Sequence, residues 1–187
     1  MRKILGVLCV LVLILGTAGS ASALTFTLES YDVKYRNVDP GLVLWVDKIL
    51  ETPISKDFSV GDSLTFKLFE VGTKEKYVGF DDLWRYDIMT TFEFSAPPVL
   101  EDVTGYSRGR FFWQDGVIRW DNPAEFYFGD GGLFTISLSN VKFPTPGSAI
   151  VKATMEYVSA PVPEPATLIL VGVGLAGMAG IRRKVRR

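Results

Sequence analysis

The chain contains no histidine and one cysteine, Cys9, so its reactive side chains are carboxylates, lysines, arginines and tyrosines. That set cannot assemble a Ser-His-Asp or Cys-His nucleophile, a histidine or thiolate zinc site, or an intrachain disulfide. Paired carboxylates remain as a route to acid/base hydrolysis. The pairs present, Asp81-Asp82 and Glu101-Asp102, are adjacent, and adjacent residues of a strand point to opposite faces, which spoils a catalytic geometry. The sequence therefore predicts no catalytic residue, no cofactor and no enzyme. Asp130, set among Gly129, Gly131 and Gly132 with Asp121 and Asn122 upstream, offers oxygens that calcium accepts but not the spacing of a calcium loop, so a turn is expected and no metal site. Trp84, flanked by Asp81, Asp82, Arg85 and Asp87, is the better exposed candidate to meet a ligand such as a sugar ring, with half-buried sheet packing as the equal alternative. The most isolated charge is Glu164, the only one between Glu156 and Arg182, and it stands between Pro163 and Pro165.

These residues sit on a chain of 187 positions, 13% aromatic, whose middle reads with period two. Phe26 and Leu28 alternate with Thr25, Thr27 and Glu29. Leu64, Phe66 and Leu68 alternate with Thr65, Lys67 and Phe69. Ile88, Thr90, Phe92 and Phe94 share a face before Pro97-Pro98 ends the run, and Phe134, Ile136 and Leu138 share another. Ala149, Val151, Ala153, Met155 and Tyr157 line the last strand, and Leu42 to Val46 adds a short one. No amphipathic helix is apparent. About eight antiparallel strands with one apolar face each predict an all-β domain over residues 24–158, a β-sandwich of jelly-roll or immunoglobulin-like topology.

Asp115-Gly116 predicts a two-residue hairpin turn, because that dipeptide accepts positive φ. Counting outward pairs Trp113 with Ile118 and Phe111 with Trp120, which places Phe111, Trp113, Ile118 and Trp120 on one core face. Gly129 to Gly132 predicts a second turn, between Phe126-Tyr127-Phe128 and the strand from Leu133.

Both ends read as handling signals. Arg2 and Lys3 precede a nearly uninterrupted apolar run from Ile4 to Leu15, and small residues follow up to Ala21-Ser22-Ala23. This is the pattern of a secretory signal peptide over 1–23, cleaved after Ala23 by recognition of Ala21 and Ala23, with use of the secretion machinery. At the other end, a proline-rich linker over 159–165 leads into 166–181, which contains no charge, and then Arg182, Arg183, Lys184, Arg186 and Arg187. Sixteen helical residues reach roughly 24 Å at 1.5 Å per residue, short of the bilayer's hydrocarbon core of about 30 Å. With snorkelling arginines this makes a short transmembrane helix whose basic tail over 182–187 halts transfer and stays cytoplasmic.

The order Pro163-Glu164-Pro165, short Gly-containing apolar stretch, basic end, together with an N-terminal signal, resembles the PEP-CTERM protein-sorting signal. The likeness covers residues 162 to 187 only. It implies that Pro163, Glu164 and Pro165 are read by an exosortase, a membrane-embedded processing enzyme of bacteria that make exopolysaccharide. The protein would be anchored in the inner membrane before processing, then reach the cell surface or a biofilm matrix. An alternative for the β domain is a membrane-anchored carbohydrate-binding module. Between Glu29 and Glu164 the chain has 13 basic against 21 acidic residues, a net charge of −8, so nucleic acid is not expected as a partner.

Overall fold

The structure, a computed structural model, describes residues 23–162 and Gly174. Residues 1–22, including Ala21 of the expected signal peptide, lie outside the described residues, as do Pro163, Glu164 and Pro165, the apolar stretch apart from Gly174, and the stretch with Arg182, Arg183, Lys184, Arg186 and Arg187. Among the described residues no helix is long and apolar enough to cross a membrane.

Eleven strands are described: β1 (Leu24–Lys34), β2 (Trp45–Lys48), β3 (Ile54–Phe58), β4 (Ser63–Thr73), β5 (Tyr86–Ala96), β6 (Pro98–Arg110), β7 (Asp115–Trp120), β8 (Ala124–Phe128), β9 (Gly132–Leu138), β10 (Val141–Pro144) and β11 (Gly147–Ser159). The described domain, residues 23–162, is all-β. A six-stranded sheet runs β10-β7-β6-β5-β1-β3 and a five-stranded sheet β2-β4-β11-β9-β8, and every pairing is antiparallel. Their inner faces meet in one core. Phe26 and Phe94 of the first sheet touch Phe134 of the second at ring-centroid distances of 5.1 and 5.0 Å, and Phe126 stacks on Phe134 at 4.8 Å. Edge-to-face and offset contacts of this kind add to the area term that burying such rings supplies.

Strict alternation is interrupted where a bulge shifts the register. In β1 the buried residues switch from Phe26 and Leu28 to Tyr31 and Val33, because the pairing with β5 slips between Thr27 and Ser30. One inserted residue moves the next side chains to the other face. In β4 the alternation expected to separate Leu68 from Phe69 fails for the same reason. Val151 pairs with Phe69 and Lys152 with Lys67, so Leu68 is the extra residue and both side chains are fully buried. The short strand expected from Leu42 begins instead at Trp45, with Leu42 and Leu44 buried from irregular backbone.

The Asp115-Gly116 hairpin is the main correction. Arg110 pairs with Asp115 and Gly109 with Gly116, so the dipeptide lies inside β7 and the turn is Phe111-Phe112-Trp113-Gln114, closed with Gln114 at φ 49°. Gly116 is needed for space, not for positive φ. A Cβ there would sit 2.4 Å from the Phe143 ring and 2.9 Å from Leu42. Ile118 and Trp120 are core residues as expected, but Phe111, Phe112 and Trp113 project from the turn into solvent. The Gly129–Gly132 turn forms where the sequence put it, with Gly129 at φ 53° and Gly131 at φ 80°, values that glycine adopts without a Cβ penalty.

Candidate functional site

The strands give the domain two poles. β11 ends at Ser159 beside the β8–β9 turn, where Val162 N–H donates to the Asp130 carbonyl at 2.7 Å. Leu24 opens β1 at the same end, paired with Phe58. Both chain exits therefore leave from one pole. The other pole, where β4 ends at Thr73 beside Gly147, carries the loop 74–85 and the turn 111–114. The 13 residues of β11 separate the poles by roughly 40 Å at about 3.3 Å per residue.

That far pole is aromatic and exposed. Tyr77, Phe80, Trp84, Phe111, Phe112 and Trp113 all show large apolar surface, Trp84 at 70%, Phe112 at 87% and Trp113 at 65%. Phe80 stacks on Phe111 at 5.0 Å, Phe111 meets Phe112 at 5.9 Å, and Phe112 meets Trp113 at 6.3 Å. The two loops are braced by polar contacts. Gln114 Oε1 accepts the Val78 N–H at 2.9 Å while its Nε2 donates to the Phe111 carbonyl at 2.6 Å. Thr145 anchors the same turn, donating its N–H and its hydroxyl to the Gln114 carbonyl. Gln114 carries no sequence signal of this role, since its partners are 36 and 3 positions away.

Asp81 and Asp82 lie in a 3-10 turn, Asp81–Leu83, and not in a strand. Asp82 is buried and accepts the Gly79 N–H through Oδ2 at 2.7 Å. Its Oδ1 is buried with no partner among the described residues. Burial pushes its carboxyl above the usual aspartate range, against the Gly79 hydrogen bond and with help from Asp81 and Asp39. Glu75 behaves alike, raised first by burial. Glu101 and Asp102 are exposed on β6. Asp121 accepts from the Thr104 hydroxyl at 2.8 Å, and both amide atoms of Asn122 bond the Leu138 backbone. These residues are thus not gathered with Asp130, and among the described residues no three acidic, histidine or cysteine side chains are placed to hold a metal ion.

Asp115 is the other buried carboxylate among the described residues. Arg110 grips it with Nε and Nη2, each at 2.7 Å, and Lys142 Nζ lies at 3.1 Å. The Arg110 hydrogen bonds hold its carboxyl below the usual range. The same guanidinium stacks over Trp113, 4.8 Å from the ring centroid.

Ala23 is exposed just before β1. The described fold stops at Val162, one residue before Pro163. No curated protein and no solved structure matches the chain. Residues 161–184, which begin where the described fold ends, match the PEP-CTERM protein-sorting motif, so this chain carries that motif at its C-terminal end, which implies export and membrane-associated processing by an exosortase.

Proposed function

We propose that the protein is a non-enzymatic extracytoplasmic β domain, delivered by the secretion machinery, held in the inner membrane by the 166–181 stretch, and released to the surface or biofilm matrix when an exosortase reads Pro163-Glu164-Pro165. The observation that carries this reading is the match at residues 161–184, placed directly after the last strand. Proline-stiffened backbone resists helix and sheet alike, so the triplet suits presentation as extended peptide, and Glu164 suits a cationic pocket. Absence of histidine from the whole chain supports a binding or structural role over a catalytic one. The measurement is fractionation of cells that contain an exosortase. Wild-type protein should lose its C-terminal tail, whereas Glu164→Gln should keep a fully folded domain and stay full length in the inner membrane. Trimming of Glu164→Gln at the wild-type rate would defeat the reading.

A second reading, a carbohydrate-binding module on a membrane stalk, is favoured by the exposure of Trp84 at the pole remote from the chain exits. Its loop neighbours Phe80 and Leu83 are exposed with it, which makes a platform for apolar sugar faces.

A further inference from the structure

The outer face of the six-stranded sheet concentrates positive charge on a domain that is otherwise acidic. Along β6, Gly105, Ser107 and Gly109 face inward, so Tyr106, Arg108 and Arg110 face outward. On β7 and β10, Arg119 and Lys142 share that outer face through the pairs Tyr106–Arg119, Arg108–Val117 and Lys142–Val117. Arg85 reaches the same surface, its guanidinium 4.3 Å from the Tyr106 ring centroid. Five of the 13 cations between Glu29 and Glu164 therefore meet in one patch. The acids nearest them are Asp115, already shared by Arg110 and Lys142, Asp87, opposite Tyr106, and Asp121, two positions after Arg119 and taken up by the Thr104 hydroxyl. Among the described residues, Arg85, Arg108 and Arg119 make no ion pair, and the Arg108 Nε is buried without a hydrogen-bond partner.

Two grooves run side by side over this patch and share Lys142. One, of about 120 Å³, is lined by Arg110, Arg119, Asn140 and Lys142. The next, of about 300 Å³, is lined by Trp113, Gln114, Lys142, Phe143, Pro144 and Asp115, whose carboxylate is already held by Arg110 and Lys142. Trp113 is braced by Arg110 and leaves most of its surface open. Guanidinium forks recognise carboxylate and sulfate by paired hydrogen bonds, and an indole beside them suits the C–H face of a pyranose.

From this juxtaposition we propose that the β6-β7-β10 face binds an anionic polysaccharide, a polymer of pyranose rings bearing carboxylate or sulfate groups. The proposal rests on the reading of the domain as displayed outside the cell, and it names the class of glycan and the surface. Charge complementarity selects the polyanion, since Arg85, Arg108 and Arg119 on this one sheet face make no ion pair among the described residues. Neutral glycans gain nothing from the arginines.

The test uses the full-length chain in detergent, with polygalacturonate as carboxylated probe, heparin as sulfated probe, dextran as neutral control and a thymidine oligonucleotide as competing polyanion. Binding to polygalacturonate, heparin or both is expected, weakening with salt, and the stronger of the two identifies the anion. Arg119→Gln with Lys142→Gln should weaken it about tenfold or more, and Trp113→Ala should weaken it further. Lys67→Gln with Lys152→Gln, the same charge change at exposed paired positions of the five-stranded sheet, should leave it unchanged. Thermal melts should stay cooperative in both double variants: Lys67→Gln with Lys152→Gln replaces exposed charges only, and Asp115, which loses Lys142, keeps its two hydrogen bonds from Arg110. Equal losses in both double variants, dextran binding as tightly as the polyanions, tighter binding to the oligonucleotide, or no binding to either glycan would each overturn the proposal. The measurement needs no processing step, so its failure leaves the sorting reading intact, and failed processing leaves the glycan face intact.

Discussion

Two aromatic clusters of similar composition meet opposite fates in this molecule. Phe26, Phe94, Phe126 and Phe134 touch one another between the sheets and are almost fully buried. Phe80, Phe111, Phe112 and Trp113 also touch one another, yet stand in solvent at the pole remote from the chain exits. Side-chain chemistry does not separate the two groups. Backbone position does, because a strand presents every second residue to the facing sheet, whereas a turn at the end of a sheet has no layer above it. A run of three large aromatics in a turn, Phe111-Phe112-Trp113, keeps its apolar surface available to a partner.

Phe134→Ala should show the largest difference between the clusters. Its ring contacts Phe26, Phe94, Phe126 and Phe128, and large-to-small changes at such sites cost about 3–5 kcal/mol. Chemical denaturation should report that loss as a lower midpoint at unchanged slope. A loss no greater than that of an exposed aromatic would mean that the two sheets do not pack as described.

The buried carboxyl under the exposed cluster should give a smaller and pH-dependent effect. The folded-state pKa of Asp82 is raised by burial, so the folded state holds a proton that the unfolded chain has released. Stability from this group is then complete below the unfolded aspartate value of about 3.9 and declines as pH rises toward the raised folded value. Asp82→Asn retains an oxygen for the Gly79 N–H but carries no charge. Thermal melts from pH 4 to pH 8 should therefore fall less steeply for the variant than for wild type. Asp115 has the opposite sign. Its lowered pKa contributes stability at neutral pH that is lost as pH falls through the acid range. A variant profile parallel to wild type across pH 4 to 8 would remove Asp82 as the source.

Trp113→Ala should show the smallest effect on folding, within about 0.5 kcal/mol as for most surface substitutions. Its contacts are the Arg110 guanidinium and the Phe112 ring, both at the surface of the same turn. A loss of several kcal/mol would return Trp113 to the core and erase the contrast between the clusters.

The inward residues of β5, β9 and β11 were legible because their alternation runs uninterrupted over Ile88 to Phe94, Phe134 to Leu138 and Val151 to Tyr157, and the structure buries each of them. Period two fails to report bulges, which is why the burial of both Leu68 and Phe69 was not. The Asp115-Gly116 turn misled for a related reason. Glycine marks either a backbone that needs positive φ or a place where something passes close by, and only the position of Phe143 across from Gly116 tells which applies. The charged neighbours of Trp84 left exposure and half-buried sheet packing both open, and its place in the loop before β5 exposes it. The arginine face was not, since Arg85, Arg108, Arg119 and Lys142 come together only through strand pairing.

What the sequence by itself determined is the all-β class of the folded domain, the absence of histidine, and the sorting motif at the C-terminal end. All three are properties of composition or of contiguous residues, which need no folding to be read. The tertiary structure alone decided which aromatics are core, which carboxyls are buried, and which cations share a surface. Those outcomes depend on register and on contacts between residues tens of positions apart, and a shift of one residue in a strand exchanges its two faces.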